Sequence, residues 1–567
     1  MPQSALSLER INALLPRPVS EETLRETLFR SKVEPGARLG DRLTVEVTPD
    51  RLDLLDEAGL ARELSGLMGL ARGMGYAFEP APLPGVEARQ NASVSPLRGE
   101  FLAVALEAPA GGGALDAGLL DEVIRFQELL HATTGRDRRA GSLGLYPLER
   151  LTPPFRYALE PLGQIRFTPL SSSQELAGKD FYQTHPLALR YGDLGRQGEL
   201  ALTLRDEEDR ILSLPPVLNA ATTGEIRPGD RRILVEATGT RPARVRELIG
   251  YMLLPFVERG WKAHPVPIHG PEGSRDGQEV LRPRRFTLAG AGVQRLLGVR
   301  LTAGELADHL QQARLAAEVR EGRIQVEAPP WRPDLLAEVD LIEEVAVARG
   351  FGRFPPILPP SSTRGARSRS AHQEAQLREV ALGMDFQELY TPVLIPGTAA
   401  GWGLTLSEPL ALVNPVSTEF SHVRSSLVPG LLASLGRNTR SPYPQRVFEL
   451  GTVVLREAEA ATGTRTDRQF ALVEGAAGTG FARAAAWAER LLDLFRLTAG
   501  REPLEVPGTI PGRCAQIRVA GEVVLWMGEV HPRILSELHL PEPVAFLVVH
   551  GSRLERLRPL ASGVSAP

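Results

Sequence analysis

The chain has 567 residues, 43% hydrophobic and 24% charged, with a formal net charge of -4. That length implies several domains with sizeable cores, and the charge balance excludes a generally basic nucleic-acid binder while leaving local basic patches open. A single cysteine, Cys514, excludes an internal disulfide framework and any multi-cysteine metal site and fits a reducing compartment. No run reaches the roughly 18–20 apolar residues of a membrane span. The first residues lack the basic start and apolar run of a signal peptide, so a cytoplasmic protein without membrane contact is expected.

Residues 1 to about 90 read as a first α/β unit. Ser20 is placed to cap a helix opening at Glu21-Glu22-Thr23, and Leu43 to Val47 alternates like a strand. The run Thr48-Pro49-Asp50-Arg51-Leu52-Asp53-Leu54-Leu55 forms a turn into a helix from Glu57 to Gly69. Arg51 stands between two aspartates, either as an ion pair fixing that turn or as a partner contact. Pro80, Pro82, Pro84 and Gly85 mark a linker.

A second unit runs from about 95 to 265. Its helix Leu119 to His131 precedes Thr133-Thr134-Gly135-Arg136-Asp137-Arg138-Arg139. Gly135 suits a helix C-terminal turn, and the arginines suit either a phosphate backbone or solvent. Pro216-Val217-Leu218-Asn219 follows, and a strand Arg232 to Glu236 leads into Ala237-Thr238-Gly239-Thr240. Asn219, Glu236, Thr238 and Thr240 are polar groups beside strands, able to line a pocket or to serve turns.

The third unit, about 283 to 357, holds a strand Arg285 to Leu288, a helix Thr302 to Arg314 and a strand Arg323 to Glu327. It closes with Pro329-Pro330-Trp331-Arg332-Pro333-Asp334 and a helix ending at Gly350. On that helix Asp340, Glu343 and Glu344 stand at i, i+3 and i+4, a spacing at which like charges repel. Either a bound cation or an acidic face paired to arginines such as Arg332 and Arg349 accounts for it. Pro359-Pro360-Ser361-Ser362 with Arg364, Arg367 and Arg369 reads as an exposed linker. The last unit, about 372 to 552, alternates helices with strands. Its segments are a helix His372–Met384, an extended Glu388–Ile395, a helix entered at Val423–Gly430, and strands at Arg446–Gly451 and Val524–Val530. Residues Gly475 to Arg483 read as a glycine-rich loop, and the tail from Leu557 as frayed.

This ordered set resembles the beta subunit of phenylalanine–tRNA ligase, in its shorter archaeal and eukaryotic type. The marks are Thr48-Pro49-Asp50-Arg51, Leu130-His131 with Gly135-Arg136, Pro216 to Asn219, and Glu236 with Thr238-Gly239-Thr240. They continue through Trp331-Arg332 with Asp334, Asp340 to Glu343, Arg424-Ser425-Ser426-Leu427, Phe448-Glu449-Leu450-Gly451 and Gly528-Glu529-Val530-His531-Pro532. The longer bacterial type adds an OB-fold and an anticodon-binding domain, for which there is no room here.

The resemblance implies a multidomain α+β chain. Residues 1–90 would be an N-terminal α/β domain, 95–265 an editing domain, 283–357 a winged-helix-like magnesium-binding domain, and 372–552 a non-catalytic class II synthetase-like antiparallel sheet. It implies an (αβ)2 heterotetramer whose alpha subunit joins L-phenylalanine to its tRNA using ATP and magnesium. It further implies an editing pocket at Asn219, Glu236, Thr238 and Thr240 that hydrolyses mischarged tyrosyl-tRNA, with Arg241 where the family usually has Asp. Magnesium would sit on Asp334, Asp340, Glu343 and Glu344, the last in a place usually held by Asp. Val447 stands where ATP binding in such folds needs arginine, and Ala482 where the second ATP signature needs glutamate. The alternatives are a stand-alone tRNA-binding or proofreading paralogue without an alpha partner, and a DNA-binding regulator built on the third unit.

Overall fold

The computed structural model describes residues 2–76, 79, 81–358 and 365–557. The expected linker residues Pro80, Pro359, Pro360, Ser361, Ser362 and Arg364, and the tail beyond Leu557, lie outside the described residues. The chain divides into two compact units, 1–358 and 359–567.

In the first unit, Ser20 Oγ accepts from Thr23 N at 3.2 Å and starts the helix Glu21–Leu28, a cap worth about 1 kcal/mol. The alternating strand Arg42–Val47 lies between Gln3–Ser7 and Val33–Leu39 in an antiparallel sheet. The turn that follows forms a 3-10 segment, Leu52–Leu55, and then the fully buried helix Glu57–Leu67.

Next comes a four-stranded antiparallel sheet in the order Lys262–Pro265, Glu100–Glu107, Arg232–Gly239 and Gly141–Pro147. The helices Ala117–Ala132 and Pro242–Val257 accompany it. A second, larger sheet contains Phe155–Pro161, Leu200–Arg205, Ile211–Leu214 and Leu218–Asn219. One hydrophobic core joins residues of the first 281 positions, and Trp331 reaches into it. A separate core lies between the sheet Arg284–Leu288, Arg323–Ala328, Ala316–Arg320 and the helices Gly290–Leu297, Ala303–Gln312 and Glu338–Arg349.

The turn after His131 differs from expectation. Gly135 is there for close approach, since a Cβ would meet Gly141 O at 2.6 Å, while the positive φ angles fall on Arg136, Asp137 and Arg138. Arg138 does not reach outward. It donates to Pro216 O at 3.0 Å and Val217 O at 2.9 Å.

The second unit is built on a seven-stranded sheet. Its order is Gln387–Glu388, Gln445–Arg456, Thr464–Gly475, Val544–His550, Glu522–Val530, Thr509–Val519 and Arg501–Pro503. Two cores flank it. One is filled by the helices Arg369–Gly383, Phe481–Phe495 and Gly551–Leu557, the other by Val428–Arg437. Arg369, expected in a linker, opens the first of these helices. The expected extended run 388–395 is interrupted between two short strands, Gln387–Glu388 and Leu394–Ile395, where Arg424 takes the carbonyl and hydroxyl of Thr391. The glycine-rich stretch ends sooner than expected, because Phe481 already opens a helix whose apolar face is buried.

Candidate functional site

Strand alternation decides which side chains meet around Glu236. Leu234, Glu236 and Thr238 share one face of Arg232–Gly239. Directly opposite Glu236 is Gly144. A Cβ on Gly144 would lie 2.2 Å from Tyr146 Oη and 2.7 Å from Glu236 Oε1, so only glycine lets these two groups meet. Tyr146 donates to Glu236 Oε1 at 2.9 Å and lies 2.8 Å from Ser213 Oγ. The other carboxylate oxygen, Oε2, is buried and has no hydrogen-bond partner among the described residues. Burial pushes the Glu236 carboxyl up to about 7, against the lowering effect of Tyr146 and Arg98. The same burial, with Glu236 adjacent, raises the Tyr146 phenol well above its ordinary value.

Glu236 and Asn219 line a cavity of about 190 Å³ together with His131, Arg138, Tyr146 and Ser213. Asn219 Nδ2 donates to Leu145 O at 3.2 Å and Gly224 O at 3.0 Å, which turns its carbonyl oxygen free of bonds among the described residues. His131 is not a free base. Its Nε2 accepts from Leu143 N at 2.9 Å, its Nδ1 lies 3.2 Å from Glu128 Oε1, and burial lowers its pKa, which keeps the ring neutral.

The other two expected residues lie elsewhere. Thr238 is buried beneath the cavity, where Arg98 donates to its hydroxyl at 3.0 Å and its carbonyl at 2.8 Å. Arg98 also bonds Arg138 O at 3.0 Å, and so ties the strand to the cavity wall. Thr240 is exposed at the strand's end, and Arg241 is exposed at the start of the following helix. Gly144, Tyr146 and Ser213 escaped the sequence reading. The small–aromatic pairing of Gly144 with Tyr146 on one strand face was the available signal.

The carboxylates around residue 334 do not converge. Arg332 holds Asp334 through Nε to Oδ1 at 2.9 Å and Nη2 to Oδ2 at 2.7 Å, and reaches Glu344 at 2.7 Å. Arg51 binds Asp53 at 2.9 Å and Glu63 at 3.0 Å and lies 3.9 Å from Glu344. All six side chains are buried. Burial and the nearby Arg51 oppose charge on Arg332, but Asp334 and Glu344 outweigh both and raise its pKa. Burial works against the Asp334 carboxylate, yet Arg332 holds it below its ordinary value. Breaking such a buried pair costs about 3–5 kcal/mol.

Asp340 faces the other way and accepts from Leu336 N at 2.6 Å and Ala337 N at 2.8 Å, capping its own helix. Glu343 is half exposed and pairs with Lys32 at 3.0 Å. As a set of four, these residues do not fit one magnesium ion, which needs converging oxygens about 2.0–2.1 Å from the metal. Among the described residues the carboxylates that do cluster are Asp56, Glu57 and Glu122, and the arginines Arg125 and Arg259 already pair two of them.

Two family models match the chain: the tRNA synthetase B5 domain over residues 286–351, and the phenylalanyl tRNA synthetase beta chain CLM domain over 354–549. With the α+β architecture they place the chain among subunits of aminoacyl-tRNA ligases, the enzymes of protein biosynthesis. The phenylalanine–tRNA ligase beta subunit of Halorubrum lacusprofundi is 30% identical over 97% of this chain and 99% of its own length. That of Methanocaldococcus jannaschii is 27% identical over 96% and 98%. The chain therefore belongs to the phenylalanine–tRNA ligase beta-subunit family, in its archaeal type. A crystal structure of an N-terminal fragment of the Pyrococcus horikoshii beta subunit covers 61% of this chain and 99% of the fragment, with TM-score 0.57 and 23% identity, and shares its fold. Among the described residues no helix is long and apolar enough to cross a membrane.

Proposed function

We propose that this chain is the proofreading and structural partner in a two-subunit phenylalanine–tRNA ligase. It assembles with a catalytic alpha subunit as (αβ)2 in the cytoplasm, and its Glu236 cavity hydrolyses tyrosine wrongly esterified to the phenylalanine tRNA. ATP and magnesium serve the complex.

One observation carries the editing reading: the unpartnered buried oxygen of Glu236 in a cavity wall. A synthetic site shaped for phenylalanine rejects an added hydroxyl only about a hundredfold. A second site that needs the hydroxyl can select the error. The tyrosine phenol would donate to Glu236 Oε2. Phenylalanine would leave that oxygen unpaired, at about 1–3 kcal/mol, or about tenfold to a hundredfold in preference. No ring nitrogen of His131 is available as a base, so ester cleavage rests on a positioned water. The outward place of Arg241 is compatible with this reading.

The test is deacylation of tyrosyl- and phenylalanyl-tRNA by the co-expressed complex. Wild type should cleave the tyrosyl ester preferentially, and Glu236→Ala should lose that preference by tenfold or more. Absence of deacylation by both wild type and Arg241→Asp would remove the pocket assignment.

A further inference from the structure

The second unit contains a pocket that the editing reading does not use. It is about 220 Å³, smaller than the roughly 300–1,000 Å³ of pockets for drug-sized ligands, a size that suits a small group. Its wall carries Arg456, Arg465, Arg553, His550, Trp526 and Ser426, and no aspartate or glutamate lines it.

Its positive charge is incompletely neutralised. Arg465 pairs with Glu457 at 3.1 Å and Asp467 at 3.7 Å. Arg553 Nη1 donates to Val523 O at 2.8 Å, but its charge meets a carboxylate only at 4.0 Å, that of Glu522, which Arg556 binds at 2.7 Å. Arg456 is exposed, and its guanidinium has no ion-pair partner among the described residues.

Unpaired polar atoms belong to the same wall. The indole nitrogen of Trp526 and Nε2 of His550 are buried without partners among the described residues, on residues 1% and 3% exposed. His550 Nδ1 lies 3.3 Å from Asp467, which orients the ring and leaves Nε2 as the free nitrogen. Ser426 Oγ accepts from Val428 N at 3.3 Å, and its own proton remains available to donate. Ser426 also adjoins the start of the ten-residue helix Val428–Arg437, the end of a helix that favours negative charge.

We propose that this pocket binds a terminal phosphate group, as a phosphate monoester or free inorganic phosphate. Such a group carries about -1.5 to -2 charge and three acceptor oxygens. The planar guanidinium groups of Arg456 and Arg553 meet those oxygens in paired hydrogen bonds, while the indole N–H of Trp526 and the hydroxyl of Ser426 supply neutral donors. A phosphodiester within an RNA strand offers fewer free oxygens and less charge than a terminal phosphate.

The full-length chain, labelled with 5-fluorotryptophan, is titrated with sodium phosphate, with adenosine monophosphate, and with sodium chloride at matched ionic strength. Fluorine resonances are followed, and isothermal titration calorimetry on the unlabelled chain gives an independent readout. The expected result is one saturable site for phosphate that chloride does not reproduce. Arg456→Gln combined with Arg553→Gln should weaken it at least tenfold. Both residues are partly or fully exposed, so circular dichroism should show an unchanged fold. Tighter binding of the nucleotide assigns the ester, equal binding assigns free phosphate, and either supports the site. A response matched by chloride, no saturable response, or binding unchanged in the double variant overturns it.

Discussion

At the scale of single residues, Glu236 combines two properties with one cause. Burial leaves Oε2 without a partner and also raises the carboxyl to about 7. A pKa raised above its unfolded value of 4.5 contributes stability that is fully present below pH 4.5 and is lost as pH rises through about 7. Glu236→Gln removes this titration. The variant should therefore gain on wild type, by up to about 3 kcal/mol, between pH 4.5 and pH above 7. Thermal midpoints of both proteins across that range check the sign; a constant difference would mean that the carboxyl has the same pKa folded and unfolded. Asn219, named from sequence as a polar neighbour of strands, does reach the same cavity. Thr240 does not, because the strand ends at Gly239 and the chain turns outward.

At the scale of elements, local periodicity was readable and long-range pairing was not. The strands and helices read from sequence rested on alternation, caps and breakers, as at Ser20, Thr302 and Gly350, while many short strands carried no such signal. Asp340, Glu343 and Glu344 on the helix Glu338–Arg349 show where such reading stops. Adjacent positions on a helix point about 100° apart, so Glu344 turns inward while Glu343 remains exposed. Which cation meets each depends on Arg51, far away in sequence, and on Lys32. Gly144 is a similar case: its need for hydrogen as a side chain arises only once its strand pairs with Glu236. Gly144→Ala should push Tyr146 off the carboxylate, lowering tyrosyl-tRNA deacylation about tenfold while the strand still forms, since the residue's φ is not positive. Deacylation kinetics beside an unchanged circular-dichroism spectrum would show it; unaltered kinetics would mean that Tyr146 does not hold Glu236 in place.

At the scale of the whole molecule, the proposed division of labour turns on what the second unit does with its own charges. Its long strand Gln445–Arg456 carries Glu449, and two places before it stands Val447, where the family resemblance implies that an ATP-binding fold would have arginine. Glu449 is fully engaged within the unit: Arg424 Nη1 binds Oε1 at 2.8 Å, and Thr391 donates to Oε2 at 2.6 Å. Arg424 is likewise held by Thr452 O at 2.9 Å and Thr391 O at 3.0 Å. The charged groups of Arg424 and Glu449 are thus engaged with each other and with Thr391 and Thr452 inside the unit, which is the basis of the proposal that this unit does not itself activate phenylalanine. The purified chain alone should show no exchange of pyrophosphate into ATP in the presence of phenylalanine, whereas co-expression with an alpha chain should restore exchange in a particle whose mass equals two copies of each. Exchange by the isolated chain would contradict the non-catalytic reading. Failure to co-purify with any alpha chain would instead leave a free-standing proofreading protein, a result that spares the Glu236 cavity and removes only the partner.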